Sequence, residues 1–318
     1  TIVYFFIQKA WRSGAADDTR NTKTASLVAA LALGFSYQFW SQTLNIQSYV
    51  FTDFLMLLTL FLVFFVKPGK RLLQLGALAA LFITIASGGS AVMIVTTAAA
   101  FLLILIYYWD DVGLAKLGIL GVLVVLGVAI VYSYLPIRAQ ARPFLNWGNP
   151  QTLELFWNHV HSAGTTFNDP ITGKVVGYNL SPIEFFKATR KYFELLFWQF
   201  TPFLLPIIGI GIFQLYKRNK RLFWILASVP IANLVYGGLV ISGNRESWFI
   251  LSYVVLAVFL GIGVVGFLEA GGGRLEDIKG GLKDIRGWKV VILVALVVLP
   301  LGWWGYKIFP RSNYHALT

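Results

Sequence analysis

Residues 72–109 read LLQLGALAALFITIASGGSAVMIVTTAAAFLLILIYYW, and their length decides the fold. A helix that crosses a bilayer needs ~20 predominantly apolar residues, and this run is about twice that. Ser87-Gly88-Gly89-Ser90 stands near its middle. Small, turn-forming residues between two apolar segments mark a turn, so the run is read as two helices joined there. Working outward, KPGKR (residues 67–71) stops the apolar run before it, and Asp110 and Asp111 close the pair.

The rest of the chain repeats this grammar. Residues 25–44, 48–66, 114–135, 192–216, 222–241, 248–268 and 290–309 are further apolar runs, and residues 1–10 form a stub too short to span. Pro202 and Pro206 predict a kink in the run 192–216. The expectation is an all-α polytopic membrane protein with about nine complete transmembrane helices plus the stub. It divides into an N-terminal transmembrane part (1–135), an external loop with an interfacial helix (136–191), a C-terminal transmembrane part (192–309) and the start of an external segment (310–318).

Composition agrees. Hydrophobic residues make up 57% of 318, mean hydropathy is +0.70, and only 13% of residues are charged, against roughly 25% in a soluble domain. With no cysteine, disulfides and thiolate metal sites are excluded. The net charge of +12 sits in short loops between apolar runs, which points to membrane orientation and away from nucleic acid. Seventeen Lys and Arg fall on one side of the alternating loops and nine on the other, six of those nine in the long central loop. By the positive-inside rule the central loop, the turn at 243–246 and the C-terminus are external, as in an integral protein of a bacterial inner or plasma membrane.

The central loop carries the densest set of functional side chains: Arg138, Arg142, Trp147, Trp157, His159 and His161, with a turn at Asn146-Trp147-Gly148-Asn149-Pro150. Residues 151–161 read as an amphipathic helix lying on the membrane surface. Elsewhere on the external side stand Gln42, Asn45, Gln47 and Tyr49, with Asp53 a turn inside the following apolar run, and Arg245 beside Glu246. Guanidinium forks suit a phosphate or pyrophosphate, so Arg138, Arg142 and Arg245 are the candidate phosphate ligands. Gln47, Tyr49, Asp53, Asn146, Trp147, His159 and Glu246 are candidate substrate-positioning residues. His159 and His161 are two apart, on different helix faces, and no ligand spacing for a metal is evident. Gly261-Ile-Gly263-Val-Val-Gly266 matches a dinucleotide fingerprint. It lies inside an apolar run with no preceding strand, and reads as helix packing.

Three runs in order, FSYQFWSQTLNIQSYVFTDFLMLL (35–58), YLPIRAQARPFLNWGNPQTLELFWNHV (134–160) and YGGLVISGNRESWFILSYVVLAVFLGIGV (236–264), carry a resemblance. They resemble the C-superfamily membrane glycosyltransferases, more narrowly a bacterial family related to the animal O-mannosyltransferase that modifies plexin-type receptors. The resemblance implies inverting transfer of a sugar such as mannose from a polyprenyl-phosphate donor to a protein or glycan acceptor on the outer face. No cofactor is expected, and a divalent metal stays open, with Asp53, Glu154, Asp169 and Glu246 as the carboxylates that could help hold one. The family's catalytic Asp would lie before Thr1, with His159 a lesser candidate for acid-base work. Gln47 stands where the family has Glu, and Gly88-Gly89-Ser90-Ala91 where it has Asn-His-Leu-Thr. The competing readings are a transporter or lipid-handling membrane protein and a non-catalytic membrane subunit. For transport, Asp53 is the one ionisable candidate.

Overall fold

In a computed structural model, residues 2–12, 19–36, 39, 48–65, 71–88, 91–142, 149–162, 177–178, 182–241, 249–276 and 302 are described. They form helices α1 (Ile2–Arg12), α2 (Thr19–Gly34), α3 (Ser48–Phe65), α4 (Arg71–Gly88), α5 (Ala91–Tyr107), α6 (Trp109–Gln140), α7 (Leu153–Ser162), α8 (Pro182–Arg218), α9 (Lys220–Leu239) and α10 (Ile250–Glu276). A two-residue strand pair, β1 (Gly177–Tyr178) and β2 (Val240–Ile241), is the sole extended structure among the described residues.

Among the described residues, four helices are long and apolar enough to cross a membrane: Gly113–Gln140, Phe185–Arg218, Lys220–Leu239 and Ile250–Glu269. This is a helical membrane protein. Helices α2 to α5 occupy four of the other expected spans but run only 16 to 18 residues, and the run 290–309 lies outside the described residues save for Gly302. The expected division at 87–90 is where α4 ends and α5 begins.

Helix α10 is the hub. It packs against α8, α2, α9, α1 and α3, while α9 carries α5 on its other side. Helix α4 bridges α3 and α6, and α6 sits on the outside with α4 as its main neighbour. Glycines bring α8 and α10 together. A Cβ on Gly263 would run into the carbonyl of Ile207, and one on Gly211 into the carbonyl of Phe259. A Cβ on Gly261 would strike Ile7 of α1, and one on Gly266 would lie 3.0 Å from Gln214. The GxGxxG run is therefore a packing surface: without side chains in the way, two backbones meet directly.

Two boundaries differ from expectation. Helix α6 runs on past Pro136 to Gln140 and α8 already starts at Pro182, so the central loop is shorter than 136–191. The polar residues that suggested a loop, Arg138 and Gln140 among them, are good helix formers. Pro182 takes the first helical position, where proline's missing N–H costs nothing. The kink expected at Pro202 is present one residue earlier, at Thr201 (φ 60°), because proline disfavours helical backbone in the residue before it.

Contacts at the helix ends sort them into two groups. At one end Trp11, Glu269 and Arg218 meet, and Phe64 packs on Tyr108 with ring centroids 5.6 Å apart. At the other, the Tyr132 hydroxyl donates to the Ala86 carbonyl, and β1 pairs antiparallel with β2, Gly177 opposite Ile241.

Candidate functional site

The end of α6 is built from its cap outward. The helix closes with Ala141 N–H donating to the Arg138 carbonyl (3.2 Å) and Arg142 N–H to that of Ala139 (3.1 Å). Arg142 then turns the chain with φ 46°, a left-handed conformation uncommon outside glycine. Residues 143–148, including Asn146 and Trp147, lie outside the described residues. The chain returns at Asn149 (φ 41°), and the Gln151 side-chain amide donates to the Ala139 carbonyl at 2.9 Å. That bond folds the loop back onto the helix it has just left.

Helix α7 starts immediately afterwards. The Thr152 hydroxyl accepts from Leu155 N–H at 3.2 Å, satisfying one of the donors a helix start leaves open. Phe156 packs edge-on against Tyr132 of α6, with centroids 6.1 Å apart, while Leu153 and Trp157 stay exposed. So α7 packs on α6 through the Tyr132–Phe156 contact and turns the apolar side chains of Leu153 and Trp157 outward. The helix holds His159 and His161, whose side chains lie outside the described positions.

Arg138 and Arg142 are both exposed, at the end of a helix whose sides are themselves exposed. Among the described residues neither guanidinium has a carboxylate within ion-pair distance. By contrast Arg218, at the other end of the molecule, is fully engaged. It pairs with Glu269 (3.2 Å) and lies over the Trp11 ring at 3.4 Å, while the Trp11 indole donates to Glu269 (2.9 Å).

Strand pairing supplies what the sequence does not. The pairing of Tyr178 with Val240 brings β1, which precedes α8, beside the end of α9. Arg245 and Glu246 lie outside the described residues, as does Gln47, and Tyr49 is described only in its backbone. The structure thus places Arg138, Arg142 and α7 together, while Gln47, Asn146, Trp147, Arg245 and Glu246 lie outside the described residues.

Asp53 stands apart from this group. It is 1% exposed, in the buried stripe of α3 with Met56, Leu57 and Leu60, and among the described residues neither carboxylate oxygen has a hydrogen-bond partner. An unpaired buried carboxylate is costly in its charged form. The crevice on the same face, between α3, α4 and α5, is lined by Met56, Leu60, Leu81, Phe82, Thr97 and Phe101 among others. Its hydroxyl, on Thr97, is turned to the Met56 sulfur at 3.7 Å, so the crevice offers apolar contact alone. Among the described residues no three of His, Cys, Asp and Glu gather as metal ligands.

Two polar ties were not expected. Gln199, buried in the middle of α8, donates to the Ser36 hydroxyl at the end of α2. Glu269 closes the contact with Trp11 and Arg218 described above. A polar side chain within an apolar run is the signal that found Asp53, and it would have found Gln199 too. No family model, curated protein or solved structure matches this chain.

Proposed function

We propose that the chain is part of a membrane glycosyltransferase that uses a polyprenyl-phosphate sugar as donor, with the phosphate held at the end of α6. One observation carries the reading: Arg138 and Arg142 are exposed guanidiniums without a carboxylate among the described residues, on the rim of an exposed apolar helix. A polyprenyl chain can lie along such a helix while its phosphate meets the arginines, and charge-assisted forks are the strong form of that contact. The resemblance read from the sequence supplies the reaction class. It also goes with nine spans and an external loop, in the integral membrane of a bacterial cell.

In an inverting displacement a carboxylate takes the proton of the acceptor hydroxyl as that oxygen attacks the anomeric carbon. The bond to the phosphate oxygen breaks, and positive charge stabilises the leaving phosphate. Arg138 and Arg142 take the second role, and Arg245 is the third candidate for it. Asn146, Trp147, His159 and Glu246 are the acceptor-side candidates, and Gln47 and Tyr49 belong to the same side.

The test is binding of polyprenyl phosphate, against uncharged polyprenol, to the full chain in lipid nanodiscs. A charge-assisted hydrogen bond contributes about 1.5–3 kcal/mol, so Arg138→Gln should weaken phosphate binding roughly tenfold to a hundredfold. Arg138→Lys should recover part of it, keeping charge but losing the fork. Equal affinity for polyprenol, or unchanged affinity in Arg138→Gln and Arg142→Gln, overturns the proposal.

A transporter is the second reading, and Asp53 favours it. Ionisable side chains inside membrane segments mark ion paths. On that reading Asp53→Asn abolishes a cation-driven flux across proteoliposomes while leaving polyprenyl-phosphate binding intact.

A further inference from the structure

We propose that the turn joining α8 to α9 binds the head group of an anionic phospholipid. Four basic residues crowd it: Lys217, Arg218, Lys220 and Arg221. The turn is one residue long and fixed at both sides. Asn219 N–H donates to the Leu215 carbonyl at 2.8 Å, and its side-chain oxygen accepts from Leu222 N–H at 3.0 Å. The cations therefore stand on a rigid corner.

Their partners divide them. Arg218 is neutralised by Glu269 and spends its face on Trp11. The other three meet aromatic rings and, among the described residues, no carboxylate. Lys217 Nζ lies 4.3 Å from the Phe213 centroid, Lys220 Nζ 5.5 Å from that of Tyr216, and the Arg221 guanidinium 5.8 Å from that of Tyr108. A ring face attracts a cation through its quadrupole without cancelling its charge. Three positive charges are thus positioned and, among the described residues, left un-neutralised.

The setting selects a lipid over a free anion. The turn ends one helix and begins another, both long and apolar enough to cross a membrane, so it stands at the level of the head groups. Phe213 and Trp224, on either side of it, are exposed, which gives acyl chains an apolar surface below the charges. Aromatic rings at that level are the usual membrane-interface arrangement, and juxtamembrane basic residues attract anionic lipid. This surface lies at the opposite end of α8 from β1 and does not depend on the donor site proposed above.

The experiment is native mass spectrometry of the detergent-solubilised full chain, titrated with phosphatidylglycerol and, separately, phosphatidylcholine. Phosphatidylglycerol should be retained in preference. The variant Lys217→Gln, Lys220→Gln, Arg221→Gln should bind it roughly a hundredfold more weakly, with phosphatidylcholine unchanged. The pair Lys187→Gln, Arg190→Gln, a loss of charge elsewhere on α8, should bind like the parent. Where the triple variant does not fold, each single substitution should weaken retention roughly fivefold. Phosphatidylglycerol retained equally by folded variants and parent overturns the proposal. So does competition by soluble glycerophosphate at the lipid's own concentration, which would make the corner a site for free anions.

Discussion

Helices α6 and α10 are both long, uncharged through their middles and rich in Val, Leu, Ile and Gly. Their surroundings are opposite. In the most apolar window of α10 94% of residues are buried inside the protein, and in that of α6 only 6% are. Hydropathy cannot separate them, because lipid tails are as apolar as leucine side chains and a helix is equally at home against either. What separates them is steric fit. Gly261, Gly263 and Gly266 of α10 each face atoms of another helix, whereas Gly118 and Gly121 of α6 have nothing within 4 Å of where a Cβ would stand. Burial in an apolar solvent is decided by which surfaces interlock.

The largest effect that would break this comparison is at Gly263. In Gly263→Leu the new side chain meets the backbone of Ile207, which cannot rotate away as a side chain can. Overpacking costs about 1–3 kcal/mol where side chains can adjust, and here it should exceed that. Folded yield by size-exclusion chromatography in detergent should collapse. A normal monodisperse peak would mean that α8 and α10 are not in backbone contact.

Next comes Val125→Lys, in the exposed middle of α6, where Val125 is 67% exposed. A lysine at the centre of a spanning helix costs about 2.5–3.5 kcal/mol of insertion free energy. The expected outcome is a fall in the membrane-inserted fraction in a glycosylation-reporter assay. Full insertion would place that face against water and not lipid.

Glu269→Gln sharpens the comparison at the ends of the helices. It removes the charge that holds Arg218 and weakens the link to Trp11, and so loosens α10 from α1 and α8. Both charged side chains are partly exposed (27% and 37%). A loss of about 1 kcal/mol is expected, toward the upper end for a solvent-screened pair, measured as a lower midpoint of thermal unfolding. No shift would make the cluster decorative.

The smallest effect is Gly121→Ala in α6. With open space around it, the change should move the same midpoint by no more than about 0.5 kcal/mol equivalent, as for surface sites. A large loss there would reveal a neighbour for α6, such as a second copy of the chain.

Much of the architecture was legible in the chain. Ser87-Gly88-Gly89-Ser90 marked the break between α4 and α5, Pro202 marked the kink at Thr201, and residues 151–161 marked α7 to within two residues at its start. These are local signals, carried by propensity and by proline and glycine chemistry. Helix ends were less legible at Gln140 and Pro182, where polar residues that form helices well look like loop. Of the candidate site, the chain offered Arg138 and Arg142 as phosphate ligands, and the structure leaves both exposed at the end of α6 with no carboxylate beside them among the described residues. It also gave Asp53 as an ionisable group inside an apolar run, and burial makes that position stranger than expected. The pairing of β1 with β2 could not be read, since two-residue strands leave no pattern.

The sequence by itself determined that the chain is helical and suited to a membrane, and roughly where its helices break. Those properties depend on the composition of windows a few turns long, and windows of that size are written directly in the chain. Tertiary structure alone decided that α10 is the centre and α6 the outside, and that Trp11 meets Glu269 across 258 positions of sequence. Such contacts depend on the joint shape of surfaces far apart in the chain. Between two equally apolar helices, shape is what remains to choose.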